Sequence, residues 1–145
     1  MRREKVFRIL SIVVMLSIFW FSHQDGRESA RQSTYVKKQV NKAIGKGLRF
    51  NVRKNAHFFI YMALGMSLLL SREKTGKREV LEVVGFIILY AISDEYHQSF
   101  VPGREASFRD VCIDTLGGIS GVLAVKMTTH TRNIYFYKRS IVKQG

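Results

Sequence analysis

Four apolar blocks, at residues 9–22, 56–70, 80–93 and 111–125, alternate with basic segments, and no other feature constrains the fold as strongly. Each block is about 14 to 17 residues long, counting Val6 and Phe7 with the first if Arg8 snorkels toward headgroups. A comfortable transmembrane helix needs about 20 residues, so length alone also fits the buried helices of a soluble bundle. Three further features favour a membrane. The blocks are apolar all round, whereas a helix of a small soluble bundle carries a polar face. Trp20, Phe21, Tyr61 and Tyr90 lie in or near block ends, where aromatic belts form. Lys and Arg crowd the block boundaries, as headgroups require.

The expected fold is therefore all-α. Four short transmembrane helices, at about 6–22, 55–71, 80–98 and 110–127, form a compact bundle within a single domain of 145 residues. A basic tail follows at 128–145. Between the first two spans, Val36, Val40, Ala43 and Ile44 share one helical face with Lys37, Lys38, Lys42 and Lys46 around it, and Gly45 and Gly47 stop it. This pattern predicts a basic amphipathic surface helix, lying on the bilayer or solvated. The stretch SHQDGRESA is a poor cleavage site, so the first span is expected to stay uncleaved.

Charge placement narrows partners and topology. The net charge is +13, yet the basic residues sit between apolar blocks and form no contiguous face or known nucleic-acid motif. Membrane lipids, anionic headgroups or an envelope polymer are the expected partners, and nucleic acid is not. With the N-terminus inside, the two sides carry 13 and 11 Lys plus Arg. The dense leader and the SREKTGKRE loop then favour a multi-pass cell-membrane protein with both termini cytoplasmic. The sole cysteine, Cys112, excludes an intrachain disulfide and a paired CxxC zinc site.

Polar residues inside or beside such blocks are costly, so each needs a partner or a task. On helical geometry Lys54, His57, Tyr61 and Gly65 span an arc of about 80°. Asp94, Glu95 and Gln98 span about 100°, and Asp110, Asp114, Gly117 and Gly121 about 60°. Arg104 and Arg109 follow the turn at Pro102 and Gly103. The end of the third block and the starts of the second and fourth share one membrane surface. One polar pocket is expected there, lined by Lys54, His57, Asp94, Glu95, Gln98, Arg104, Asp110 and Asp114, and it faces outside if the N-terminus is inside. Gly117 and Gly121 form a GxxxG pair that serves either an intramolecular contact or a homo-oligomer.

KNAHFFIYMALG and SDEYHQSFVPGREASFRDVCIDTLGGISG resemble the VanZ-like family of small bacterial membrane proteins. FSHQDG resembles that family's Ser-Ser-Gln element, with His23 where a second serine is usual and with Ser22 and Gln24 retained. By position, the family's polar motif residues fall on Lys54, His57, Tyr61, Glu95, Gln98, Arg104, Asp110, Asp114 and Gly117. The resemblance implies an envelope role, with tolerance of teicoplanin or related lipoglycopeptides.

Several readings of the polar residues stay open. In the structural one, Arg104 pairs with Asp110 or Glu95, and Lys54 with Asp94 or Asp114. In the binding one, Lys54, Arg104 and Arg109 receive an anionic headgroup, Glu95, Gln98, Asp110 and Asp114 position those cations, and His57, Tyr61 and Asp94 complete the candidate binding set. In the enzymatic one, Glu95 and either His57 or His97 exchange protons in a small hydrolase or transferase, though no nucleophile motif surrounds Ser93 or Ser99. Metal is set aside, because HExxH and an EF-hand loop are missing, and no cofactor is expected.

Overall fold

The computed structural model describes residues 2–44 and 51–142, and side chains as far as Thr129. Among the described residues there are five helices and no strand: α1 (Arg2–His23), α2 (Gly26–Ile44), α3 (Val52–Leu70), α4 (Lys77–Gln98) and α5 (Phe108–Val142). Helices α1, α3, α4 and α5 coincide with the four apolar blocks but extend beyond them, because the charged flanks continue the helical backbone. The segment expected as a tail is helical through Val142, and nothing between Gly121 and that point, neither Gly nor Pro, interrupts it.

Local capping sets the boundaries. Asp25 opens α2, its side-chain oxygen accepting from the Arg27 amide at 2.7 Å. The amphipathic helix thus begins ten residues earlier than Val36, directly behind α1. Gly45, Lys46 and Gly47, expected near its end, lie outside the described residues. Asn51 caps α3 by accepting from the Lys54 amide at 3.2 Å. At the far end the Ser71 amide closes on Ser67 O at 2.9 Å.

Helix α3 is the inner element. It packs along α5 and also touches α1, α2 and α4. Its contact with α5 is close because Gly117 and Gly121 are buried against it; a Cβ on either would strike the carbonyl oxygen of Phe58 or Met62. Gly65 meets the Gly118 carbonyl in the same way. The GxxxG face is thus spent within the chain. Ile18, Tyr61, Leu64, Leu69, Val83, Ile87, Ala91, Val122 and Val125 fill the centre. Ser11 Oγ to Ser67 Oγ (3.1 Å) ties α1 to α3, and Tyr90 OH to Met15 O (2.8 Å) ties α4 to α1.

The outside is unusually apolar. Trp20, Leu81 and Met127 are 69%, 72% and 72% exposed, and Ile9, Leu16, Leu89 and Leu123 join them. Exposed apolar side chains thus run along α1, α4 and α5. Two helical stretches, Arg3–His23 and Phe108–Thr129, are long and apolar enough to cross a membrane. Helices α3 and α4 are not among them; Arg53 and Lys54 sit in the first turn of one, and Asp94 and Glu95 near the end of the other.

Candidate functional site

The end of α1, the start of α3, the end of α4 and the start of α5 meet at one end of the bundle. Asp94 and Gln98, four residues apart, share a face of α4. Asp94 Oδ2 accepts from Ser22 Oγ at 2.9 Å and from Gln98 Nε2 at 3.1 Å. Gln98 Oε1 accepts from Arg104 Nη1, also at 2.9 Å. The rest of the Arg104 fork reaches the last turn of α1, with Nη2 donating to Phe21 O at 2.7 Å and Nε to Gln24 O at 2.9 Å. These are the carbonyls a helix end leaves unpaired, where a cation also complements the backbone dipole. Arg104 is buried. Burial and the nearby Arg53 push its guanidinium below the ordinary arginine range, against the pull of Asp94 and Glu95.

The turn that carries Arg104 is held from both sides. Gly103 adopts φ 73°, a left-handed conformation suited to glycine, and the Gly26 amide donates to Pro102 O at 3.0 Å. A Cβ on Gly26 would strike the Gly103 carbonyl oxygen, so α2 and the turn meet backbone to backbone. Glu95 Oε2 accepts from the Ser107 amide at 2.8 Å and fixes the entry into α5.

Across the α3–α5 contact, Lys54 Nζ hydrogen-bonds Asp110 Oδ1, and Arg53 Nη2 lies 3.6 Å from Asp110 Oδ2. One turn deeper, His57 Nδ1 lies 3.5 Å from Asp114 Oδ2. Asp114 is fully buried, and neither of its carboxylate oxygens has a hydrogen-bond donor. The Tyr61 hydroxyl, also fully buried, lacks a hydrogen-bond partner too.

Two spaces adjoin these groups. A small cavity, with about 10 Å³ for the centre of a water-sized body, lies among Lys54, His57, Glu95, Gln98, Asp110 and Asp114. An open groove of about 920 Å³ lies outside it, between α2, the start of α3 and the turn before α5. Arg53, Lys54, Arg104, Glu105, Ser107, Asp110 and Ser33 are among the residues on its walls.

The polar residues expected in one pocket do gather at one end of the bundle, but their pairings differ from expectation. Arg104 forms an ion pair with neither Asp110 nor Glu95; it caps α1 and holds Gln98. Lys54 pairs with Asp110, not with Asp94 or Asp114. His97 is apart from Glu95, because a spacing of two residues turns its ring to the other side of α4. There it lies 4.7 Å from the Phe19 ring centroid, and His23 Nδ1 is 3.3 Å from its Nε2. Arg109 is exposed. Arg53 and Ser107 were not singled out by sequence, although Arg53 adjoins Lys54 in the helix-opening turn.

The VanZ/LLP1 family matches residues 7–129. No curated protein and no solved structure gives a match.

Proposed function

The chain belongs to the VanZ/LLP1 family, and on that footing we propose that it is a four-span membrane protein whose outward-facing groove binds an anionic envelope headgroup. Helices α1, α3, α4 and α5 cross the bilayer, both termini are cytoplasmic, and α2 lies at the outer surface beside the groove. The exposed apolar faces of α1, α4 and α5 support the spans. Polar ends on α3 and α4 fit a site set just below the headgroups.

The observation that carries the binding reading is the charge on the groove wall. Arg53, Lys54 and Arg104 face it against the carboxylates Asp110 and Glu105, so the cations exceed the acids. With the Arg104 fork engaged by α1, Arg53 and Lys54 are the groups free to turn from Asp110 toward a phosphate or carboxylate. Arg offers a planar fork and Lys a mobile point charge. Ser33 and Ser107 supply hydroxyls at the rim. Tolerance of teicoplanin or a related lipoglycopeptide follows if the bound headgroup belongs to the envelope that such molecules attack.

Teicoplanin susceptibility in a sensitive Gram-positive host tests this, with wild type, Arg53→Ala, Lys54→Ala and Glu95→Gln at matched membrane abundance. Wild type protects, the two cation variants lose most of the protection, and Glu95→Gln keeps much of it. A lack of protection by wild type overturns the reading. Loss confined to Glu95→Gln overturns it in favour of proton transfer, which glutamine cannot perform.

A further inference from the structure

A second set of polar side chains lies behind the groove and is not used by it. His57, Asp94 and Asp114 come from three different helices, and each offers a ligand atom such that all three lie within 4.8 Å of one another. Asp94 and Asp114 are buried and His57 nearly so. We propose that these three side chains form a site for one divalent transition-metal ion, with the Tyr61 hydroxyl at its edge.

Three independent observations point to a ligand. First, Asp114 is fully buried and its oxygens make no close hydrogen bond, which leaves the His57 imidazole at 3.5 Å as its ionic partner. Buried polar groups are normally hydrogen-bonded, and buried charges are paired or coordinate metals. The stronger cations of this end are engaged elsewhere in the structure, Lys54 and Arg53 by Asp110 and Arg104 by α1 and Gln98. Second, the spacing suits an ion. Ligand atoms each about 2.1 Å from a tetrahedral metal lie about 3.4 Å apart, so the three side chains must draw together by up to about 1.4 Å to complete the set. Third, the small cavity touches both His57 and Asp114 and has room for one water-sized body. It also touches Arg53 and Lys54 on the groove side, which gives an entry path.

The donor set selects the metal. Two carboxylates balance a double positive charge, and one imidazole with oxygens suits Zn²⁺ or Mn²⁺. The affinity order of such sites puts Zn²⁺ ahead of Mn²⁺. Ca²⁺ needs six to eight oxygens, more than this site offers. Sequence did not suggest the set, because His97, the histidine nearest the acidic motif, faces away, while Asp114 reaches His57 only through the α3–α5 contact. The site does not rest on the headgroup reading, and its test does not use resistance.

The experiment uses untagged full-length protein in detergent, stripped with EDTA and titrated with Zn²⁺, Mn²⁺ or Ca²⁺ alone. Metal content is read by elemental analysis and thermal stability alongside it. We expect about one Zn²⁺ per chain with a raised Tm, weaker Mn²⁺ binding at the same stoichiometry, and no Ca²⁺ binding. Asp114→Asn and His57→Gln lower Zn²⁺ affinity at least a hundredfold, whereas Glu82→Gln, near the start of α4 and away from the site, leaves it within threefold. Wild type that retains less than a tenth of an equivalent of Zn²⁺ overturns the site, as does undiminished binding by Asp114→Asn. Should either variant aggregate, a chain with His23, His97 and His130 all replaced by Asn keeps His57 as its one imidazole. Bound Mn²⁺ then shows histidine nitrogen coupling by electron paramagnetic resonance, and a Mn²⁺ signal without that coupling overturns the site.

Discussion

Arg104 Nη2 donates to the carbonyl oxygen of Phe21 at 2.7 Å, joining the turn before α5 to the last turn of α1 across 83 positions of chain. With the bonds to Gln24 and Gln98, one guanidinium ties together α1, α4 and the turn. Arg104 is thus a structural residue that also borders the groove, and its removal acts on folding before it acts on binding.

Arg104→Ala leaves two helix-end carbonyls and the Gln98 side chain without their donor. A loss of about 2–3 kcal/mol is expected, with less folded protein in the membrane. Arg104→Lys recovers only part of it, since a point charge cannot reproduce the fork. Thermal or denaturant unfolding in detergent measures both, and an unchanged midpoint for Arg104→Ala would refute the capping role.

Gly117→Val and Gly121→Val push side chains into the backbone carbonyls of Phe58 and Met62. Each should destabilise the fold by about 1–3 kcal/mol or more. Gly85 is the control: a Cβ there meets nothing within 4 Å. Gly85→Ala should gain about 0.5–1 kcal/mol from reduced chain entropy. Equal behaviour of all three variants would place the glycine requirement somewhere other than the α3–α5 contact.

Ser22→Ala removes one donor to Asp94 and one acceptor from Gln98. The expected cost is about 1 kcal/mol. His23→Ser, at an exposed position, should stay within about 0.5 kcal/mol of wild type. The reverse ranking would mean that the His23–His97 contact, not the Ser22 network, holds α1 to α4.

The Lys54–Asp110 pair is partly exposed, at 30% and 13% of the side chains. Solvent screening limits its worth, so a double-mutant cycle with Lys54→Met and Asp110→Asn should give a coupling of about 0.5–1 kcal/mol. Arg53 stands ready as a second partner for Asp110 and lowers the apparent value. A coupling near zero in the Arg53→Ala background would remove Asp110 from the account of the groove.

Topology has a direct test in a Cys112→Ser background. Glu105→Cys in the site-end turn should react with an impermeant maleimide on intact cells, and Lys74→Cys at the opposite end only after lysis. Lys126 Nζ donates to Thr75 O at 2.7 Å, which keeps that end of α5 level with the α3–α4 loop. Labelling in the opposite order would put the groove on the cytoplasmic side.

The helices, and the end of the bundle at which polar groups meet, are legible in local patterning. Apolar block length, the turn at Pro102 and Gly103, and the 3.6-residue period are local properties, so they can be read without neighbours. The period also separates the faces within one helix: Lys54, His57 and Tyr61 stay together, as do Asp110 and Asp114. It does not say how high or in what rotation one helix sits against the next. Tertiary structure alone decided that Lys54 meets Asp110 and His57 meets Asp114, because the glycines of α5 bring its backbone against α3 at one register. It also decided the partners of Arg104, which lies in a turn where no periodicity applies and where the geometry of the α1 terminus chooses the contact. The charge pattern left several pairings equally open, and packing selected among them, since only one helix register lets Gly65, Gly117 and Gly121 all face backbone.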